Sequence, residues 1–424
     1  MVSKNKILSG SLIIGASSVV SAILAYLIRI IMANTLTPAE VGLIFGCINL
    51  VLMTYFLKSI GIEQAVAKYI PEYVVKKEYD KIKTVTLILF LIQLIGTVAI
   101  SITLWLLSDW LSINYFHDPR ASWVLKFIIF FMIGSLFVKF YKTIFQGFQK
   151  MSLFGLIEPI RNGIILLSIL LIPAGIIGPL IGYSISGFVV CILLFKQLMK
   201  TFNFFKYKIV DFWPLTKKMI LFGLPLMFTM MGGELLALFD TFIMIYFRTL
   251  TEVGIYNIIL PSAMVALLVG RSVSIVIYPK ISEYCAKQQY EDIKNIYRWI
   301  FKLSLLLIPL FIIGLFCAKF FLVLLFGPEY LPGLTALKIL FGACLIFIVA
   351  KINLQGVAAM GYPGDNLKAF LWAAAINVGL NLLLIPSYGM NGAAIATLVS
   401  YIFIFVYSTW KIKRRVFNHG KIRI

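Results

Sequence analysis

Thr84 to Leu107 reads TVTLILFLIQLIGTVAISITLWLL, a run without one charged side chain. At ~1.5 Å of rise per residue, a helix of this length crosses the ~30 Å hydrocarbon core of a bilayer. Similar blocks recur at Leu8–Ala33, Phe301–Phe326 and Ala393–Trp410. The first is too long for the core of a signal peptide and opens a series of like blocks, so it is expected to be a retained helix. The chain of 424 residues is 61% hydrophobic with a mean hydropathy of +0.99, whereas a soluble domain is roughly 45–50% apolar. A soluble fold could not bury that much apolar surface. The fold class is all-α, a polytopic membrane protein.

Weighing the apolar blocks against Pro, Gly and charge breaks predicts twelve spans. They lie near 8–33, 40–60, 84–107, 121–142, 153–172, 179–199, 218–247, 253–278, 299–326, 335–357, 366–386 and 391–411. The narrowest division separates the fifth from the sixth, at Pro173, Gly175, Gly178 and Pro179. Of the 38 Lys and Arg residues, most fall in the tails and alternate loops, such as Lys76, Lys77, Lys81 and Lys83, Lys206 and Lys208, or Lys280 and Lys287. The opposite ends hold only Arg120, Lys126, Arg248, Lys319 and Lys338. This asymmetry predicts a multi-pass protein of the cytoplasmic membrane with both termini cytoplasmic. The net charge of +21 is thus a matter of topology, and no basic domain exists to bind nucleic acid. Five cysteines stand singly without metal or redox spacing, and His117 and His419 are isolated.

The chain also repeats itself. Ile70-Pro-Glu-Tyr-Val-Val-Lys-Lys-Glu-Tyr-Asp-Lys-Ile-Lys83 lies over Ile281-Ser-Glu-Tyr-Cys-Ala-Lys-Gln-Gln-Tyr-Glu-Asp-Ile-Lys294, with half the positions identical. Thr35-Leu-Thr37 matches Thr249-Leu-Thr251, Lys126 and Lys139 fall on Lys338 and Lys351, and Ile172-Pro173 falls on Ile385-Pro386. Six spans per copy keep both copies in one orientation, so the halves are expected to be parallel repeats with the substrate site between lobes. The expected divisions are an N-terminal lobe over 1–200, a linker over 201–217, a C-terminal lobe over 218–412 and a basic tail over 413–424. The linker mixes Lys206 and Lys208 with Phe202, Phe204, Phe205, Phe212 and Trp213, which suits a segment lying in the membrane interface.

Charges inside spans are costly, at least ~2.5–3.5 kcal/mol each near the bilayer centre, and normally face a cavity or a partner. Arg29, Lys58, Arg161 and Arg271 qualify, with Lys139 and Lys351 nearer the inner ends. Lys58 and Arg271 fall within a residue of each other under the repeat. Six such cations would attract an anionic head group, phosphate or pyrophosphate, through bidentate Arg and point-charge Lys. Against this, Lys58, Lys139 and Lys351 could snorkel to the interface, and Arg161 has Glu158 one turn away as a structural partner. Glu234 and Asp240 sit in span seven beside Gly232 and Gly233. Either is a candidate for coupling a proton or sodium ion, and Glu234 could instead pair with Arg29 or Arg271. No cofactor is expected. Gly223, Pro225 and Pro261 could bend during transport or mark static kinks.

Arg29 followed by Thr37-Pro-Ala-Glu-Val-Gly42, then Phe222-Gly-Leu-Pro-Leu226 and Thr251-Glu-Val-Gly-Ile-Tyr-Asn257, form an ordered set with Phe326-Gly-Pro-Glu-Tyr330 and Gly389-Met-Asn-Gly-Ala-Ala394. In these motifs the chain resembles the polysaccharide flippases of the multidrug/oligosaccharidyl-lipid/polysaccharide exporter superfamily. The resemblance implies two six-helix lobes in a V around a central cavity, cavity cations on spans one, two and eight, and transport of a polyprenyl-pyrophosphate-linked saccharide by alternating access. Membrane lipids and glycan polymerase or glycosyltransferase machinery are then the expected partners of a monomer. A multidrug antiporter of the same superfamily is the rival, and it would favour acids over cations in the cavity. An enzyme would need catalytic carboxylates on a sizeable loop, yet the longest outer connection is the short stretch around Ser108–Arg120.

Overall fold

A computed structural model describes the backbone of residues 4–59 and 61–417. The side chains of Lys58, Glu234 and Arg271 lie outside the described residues. The described chain is helical throughout: α1 (Lys4–Thr35), α2 (Pro38–Ser59), α3 (Ile62–Val75), α4 (Tyr79–Asn114), α5 (Arg120–Gly147), α6 (Met151–Leu171) and α7 (Ile177–Thr201) come first. Then follow α8 (Phe212–Phe247), α9 (Leu250–Met264), α10 (Leu267–Ala286), α11 (Tyr290–Phe326), a short 3-10 turn at Pro328–Gly333, α12 (Leu334–Ala359) and α13 (Pro363–Ile412). Among the described residues, 7 helices are long and apolar enough to cross a membrane.

Three of these elements depart from simple spans. The second predicted span runs on past its expected end, interrupted at Gly61 (φ 70) between α2 and α3. The eighth is divided into α9 and α10, and α9 ends one turn after Pro261, whose ring removes a helical hydrogen bond. The eleventh and twelfth are joined in α13, which bends only at Gly389 (φ 53, ψ −132), a backbone conformation open to glycine. Glycine is required there twice over, because a Cβ would strike the Glu252 carboxylate.

The duplication recurs in the backbone. Helix α3 ends with Lys77 at φ 58 and α10 with Gln288 at φ 58. The hydrogen bonds around them match, Glu78 N donating to Tyr73 O as Gln289 N donates to Tyr284 O, at 2.9 Å each. Glu72 pairs with Lys76 and Glu283 with Lys287, both at 2.7 Å. Farther along, Gln149 (φ 57) corresponds to Gly361 (φ 89), and Gly175 (φ 57) to Gly389. Lys77, Gln149, Gln288 and Gly361 follow helix C-termini with positive φ, as left-handed caps do.

The chain divides into two compact units, Met1–Phe228 and Thr229–Ile424, and the division falls inside α8. In the first unit a core of Ile62, Val66, Tyr69, Ile88, Ile144, Phe145 and Leu198 joins α3, α4, α5 and α7. The stretch between α7 and α8 closes over the lysine-rich end of this core. Phe202 stacks on Phe148 at 5.5 Å and on Tyr207 at 5.1 Å, and Tyr207 stacks on Tyr79 at 5.4 Å. Lys83 Nζ donates to Tyr207 O at 2.7 Å, Lys208 N to Asp80 Oδ1 at 2.8 Å, and Val210 N to Thr84 Oγ1 at 2.9 Å. Phe205 and Trp213 remain 86% and 77% exposed, as amphipathic interface anchors do.

Helices α5 and α7 meet backbone to backbone: a Cβ on Gly187 would lie 2.6 Å from Gly134 C. Small residues permit such approach where dispersion rather than the hydrophobic effect holds helices together. Gly187→Val is therefore expected to cost about 1–3 kcal/mol, read as a melting temperature several degrees lower in detergent. An unchanged melting curve would show that α5 and α7 do not pack this closely.

Candidate functional site

In the first unit the cations converge around α1, α5, α6 and α7. Arg29 is part-buried on α1, its Nη1 donating to Ala25 O at 3.2 Å and its guanidinium lying 5.3 Å from the Phe45 ring centre. Its Nε is buried without a hydrogen-bond partner, and among the described residues it makes no ion pair. Arg161 on α6 lies 5.1 Å from the Phe131 ring, which meets Tyr183 edge-on at 5.9 Å. Tyr183 lies near enough to both Arg29 and Arg161 to feel their charges. Asn162 Nδ2 donates at 3.0 Å to both Ser21 O and Ser21 Oγ, tying α6 to α1.

Two of the other candidate cations, Arg161 and Lys139, have acid partners. Arg161 Nη1 stands 3.5 Å from Glu158 Oε2, and Lys142 Nζ stands 3.0 Å from Glu158 Oε1, so one carboxylate serves two cations. Lys139 Nζ is 3.8 Å from Glu63 Oε1, which also accepts from Gln93 Nε2 at 2.9 Å. Lys351 is half-buried on α12 in the second unit. Of Arg29, Arg161 and Lys139, Arg29 is the one that no acid matches among the described residues.

The second unit holds the opposite charge on helices that the repeat equates with α1 and α6. Asp240 on α8 is 0% exposed. It accepts from Tyr256 Oη at 2.7 Å, Thr397 Oγ1 at 2.7 Å, Asn381 Nδ2 at 2.7 Å and Asn377 Nδ2 at 3.2 Å. No cationic side chain pairs with it among the described residues. An ionised carboxylate taken out of water is costly unless it is matched by charge or a full set of hydrogen bonds. Four donors converging on two oxygens suit the ionised form. The amide O and N of Asn377 and Asn381 can exchange places by rotation, and Asn381 Oδ1 is buried without a partner. With the amides turned, Asp240, Asn377, Asn381 and Thr397 present a set of oxygens suited to a small hard cation.

Sequence reasoning singled out Asp240 but missed its cage. The signal was present: Asn377 and Asn381 are one turn apart in a run of apolar residues, where polar side chains mark functional positions. Only the helix packing joins them to Thr397 and Tyr256.

Residues 7–285, more than half of the chain, match the family described as polysaccharide biosynthesis protein. The chain belongs to that family. Over 408 residues this family member is 24% identical to an uncharacterized membrane protein of Methanocaldococcus jannaschii, covering 92% of this chain and 80% of the relative. It is 27% identical over 208 residues to the probable low-salt glycan biosynthesis flippase Agl15 of Haloferax volcanii, covering 49% of this chain and 40% of the relative. Its fold is similar to that of the lipid II flippase MurJ in an inward closed conformation, with TM-score 0.76 and 19% identity, covering 95% of this chain and 87% of the other. It is equally similar to an inward-facing multidrug resistance MATE transporter of the MOP superfamily, with TM-score 0.77 and 14% identity, covering 93% and 95%. Its fold is the one these membrane transporters and flippases share.

Proposed function

We propose that this family member is a flippase that moves a polyprenyl-(pyro)phosphate-linked oligosaccharide from the cytoplasmic to the outer leaflet by alternating access. The observation that carries it is Arg29, a guanidinium on a membrane-spanning helix with no acid opposite it among the described residues and a buried Nε without a partner. Bidentate donation to phosphate is the chemistry such a group offers. Unaided passage of a pyrophosphate and sugar hydroxyls through hydrocarbon would leave each polar group unsatisfied at several kcal/mol. A polar path replaces that lost hydration while the prenyl tail stays in lipid, and no bond is broken.

On this proposal both termini are cytoplasmic, in keeping with the Lys and Arg bias. The protein works as a monomer beside the glycan polymerase or glycosyltransferase machinery, with Lys58 and Arg271 completing the head-group path. Asp240 couples the cycle to a sodium ion, because its caged carboxylate lacks a counter-charge among the described residues. The multidrug antiporter of the same superfamily fits the fold equally well. Asp240 speaks against it: its side chain is fully enclosed and taken up by four donors, which excludes an organic cation.

Deleting the gene is expected to make a lipid-linked saccharide accumulate on the inner leaflet, read by protection of its glycan from a membrane-impermeant probe added outside. Restoring the gene should return the glycan to the outer face. Deletion cells with unchanged lipid-linked saccharide and altered drug tolerance would favour the antiporter.

A further inference from the structure

The two units differ at the place where the repeat should make them alike. In the first unit the groove between the α3–α4 turn, the α5–α6 turn and the end of α7 is filled by the chain itself. Phe202 and Tyr207 lie there against Phe148 and Tyr79, and Lys83 holds the Tyr207 carbonyl. The repeat places Tyr290 on Tyr79 and Met360 on Phe148. In the second unit those two residues line an open cavity of about 470 Å³, bounded by the α10–α11 turn, the α12–α13 turn and the end of α13. There Val416 packs into the core with Tyr290 and Met360, and no aromatic pair like Phe202 and Tyr207 fills the cavity among the described residues.

The cavity is strongly basic. Lys411, Arg414 and Arg415 line it together with Cys285, Tyr290, Met360 and Tyr362. One carboxylate faces them: Asp365 meets Lys411 at 3.0 Å and Arg415 at 2.6 Å. Arg415 also lies 3.2 Å from the Tyr362 ring centre, so its guanidinium is held from two sides while its Nε is buried without a partner. Arg414 makes no ion pair among the described residues and rests over Trp410 at 5.6 Å. Two positive charges are therefore left over beside an unsatisfied donor. Trp410 is 48% exposed and Tyr362 46%, and such aromatics sit at the head-group level of a bilayer.

We infer that this cavity binds the phosphodiester head group of an anionic membrane phospholipid, which closes the second unit as the 202–211 stretch closes the first. Charge complementarity selects the occupant. Basic pockets between transmembrane helices recognise acidic lipid head groups, and the cavity opens beside the interfacial aromatics Trp410 and Tyr362. Asp365 positions Lys411 and Arg415, and Arg414 meets the phosphate.

The test is native mass spectrometry of the full chain in detergent with phosphatidylglycerol or phosphatidylcholine added. The wild type should retain phosphatidylglycerol preferentially. Arg414→Gln, which leaves the Asp365 pairs intact, should lower that preference about fivefold, the effect of one surface cation near an acidic lipid. Arg414→Lys should keep it. Lys200→Gln, an exposed cation at the end of α7, should leave it unchanged. Equal losses in Arg414→Gln and Lys200→Gln, or no preference in the wild type, would overturn the site. Displacement of the lipid by millimolar inorganic phosphate would overturn the lipid as occupant. Transport is not measured, so the outcome is independent of the flippase proposal.

Discussion

Asp240→Asn is expected to abolish sodium binding while the protein remains folded. The substitution keeps the shape of the side chain and its place among Tyr256, Asn377, Asn381 and Thr397, but removes the charge that a bound cation would match. Taking one partner from a buried charge pair costs about 3–5 kcal/mol, and tenfold in affinity corresponds to about 1.4 kcal/mol. Sodium affinity should therefore fall by about 10²–10³-fold. The measurement is the rise in melting temperature of purified protein on replacing choline by sodium, with potassium as the comparison ion. The wild type should show the rise and Asp240→Asn should not. A sodium-dependent rise that survives in the variant, or none in the wild type, would remove sodium from the mechanism. Thr397→Val should weaken the ion more mildly, since it deletes one neutral oxygen of the cage.

Arg29→Ala is expected to stop translocation without lowering stability. Most buried charges are destabilising to remove because a partner is left unpaired. Arg29 differs, since no acid pairs with it among the described residues and its Nε already lacks a partner. Inserting α1 without the charge is more favourable by about 2.5–3.5 kcal/mol. The variant should insert and melt like the wild type or higher, yet lose complementation of the deletion strain. Arg161→Ala should behave in the opposite sense on stability, because it leaves Glu158 with Lys142 alone. Arg271→Ala is expected to match Arg29→Ala in transport, on the strength of its place in the eighth span. Wild-type flipping by Arg29→Ala would dismiss the head-group role of that residue.

The all-helical membrane class was legible because hydrocarbon imposes one solution on a long apolar run, a helix whose backbone bonds close on themselves. The duplication was legible too: the paired stretches Ile70–Lys83 and Ile281–Lys294 share side chains, and the backbone at Lys77 and Gln288 follows suit. Helix interruptions were less so. Gly61 and Gly389 carry left-handed or otherwise glycine-specific conformations, but many other glycines in the chain lie in ordinary helix, so residue type alone did not separate them.

By itself, the sequence determined the membrane class, the repeat and which spans carry charge, since each depends on the composition of a single segment. Pairing depends on which segments meet, and that was decided by the tertiary structure. It sorted Arg161 and Lys139 into ion pairs with Glu158 and Glu63, left Arg29 without one among the described residues, and gathered Tyr256 of α9 and Asn377, Asn381 and Thr397 of α13 around Asp240. It also opened beneath Tyr290 and Met360 a basic cavity where the first unit is packed with its own phenylalanine and tyrosine. A charge buried in low dielectric takes its role from its neighbours, and neighbours distant in sequence are known only once the helices are packed.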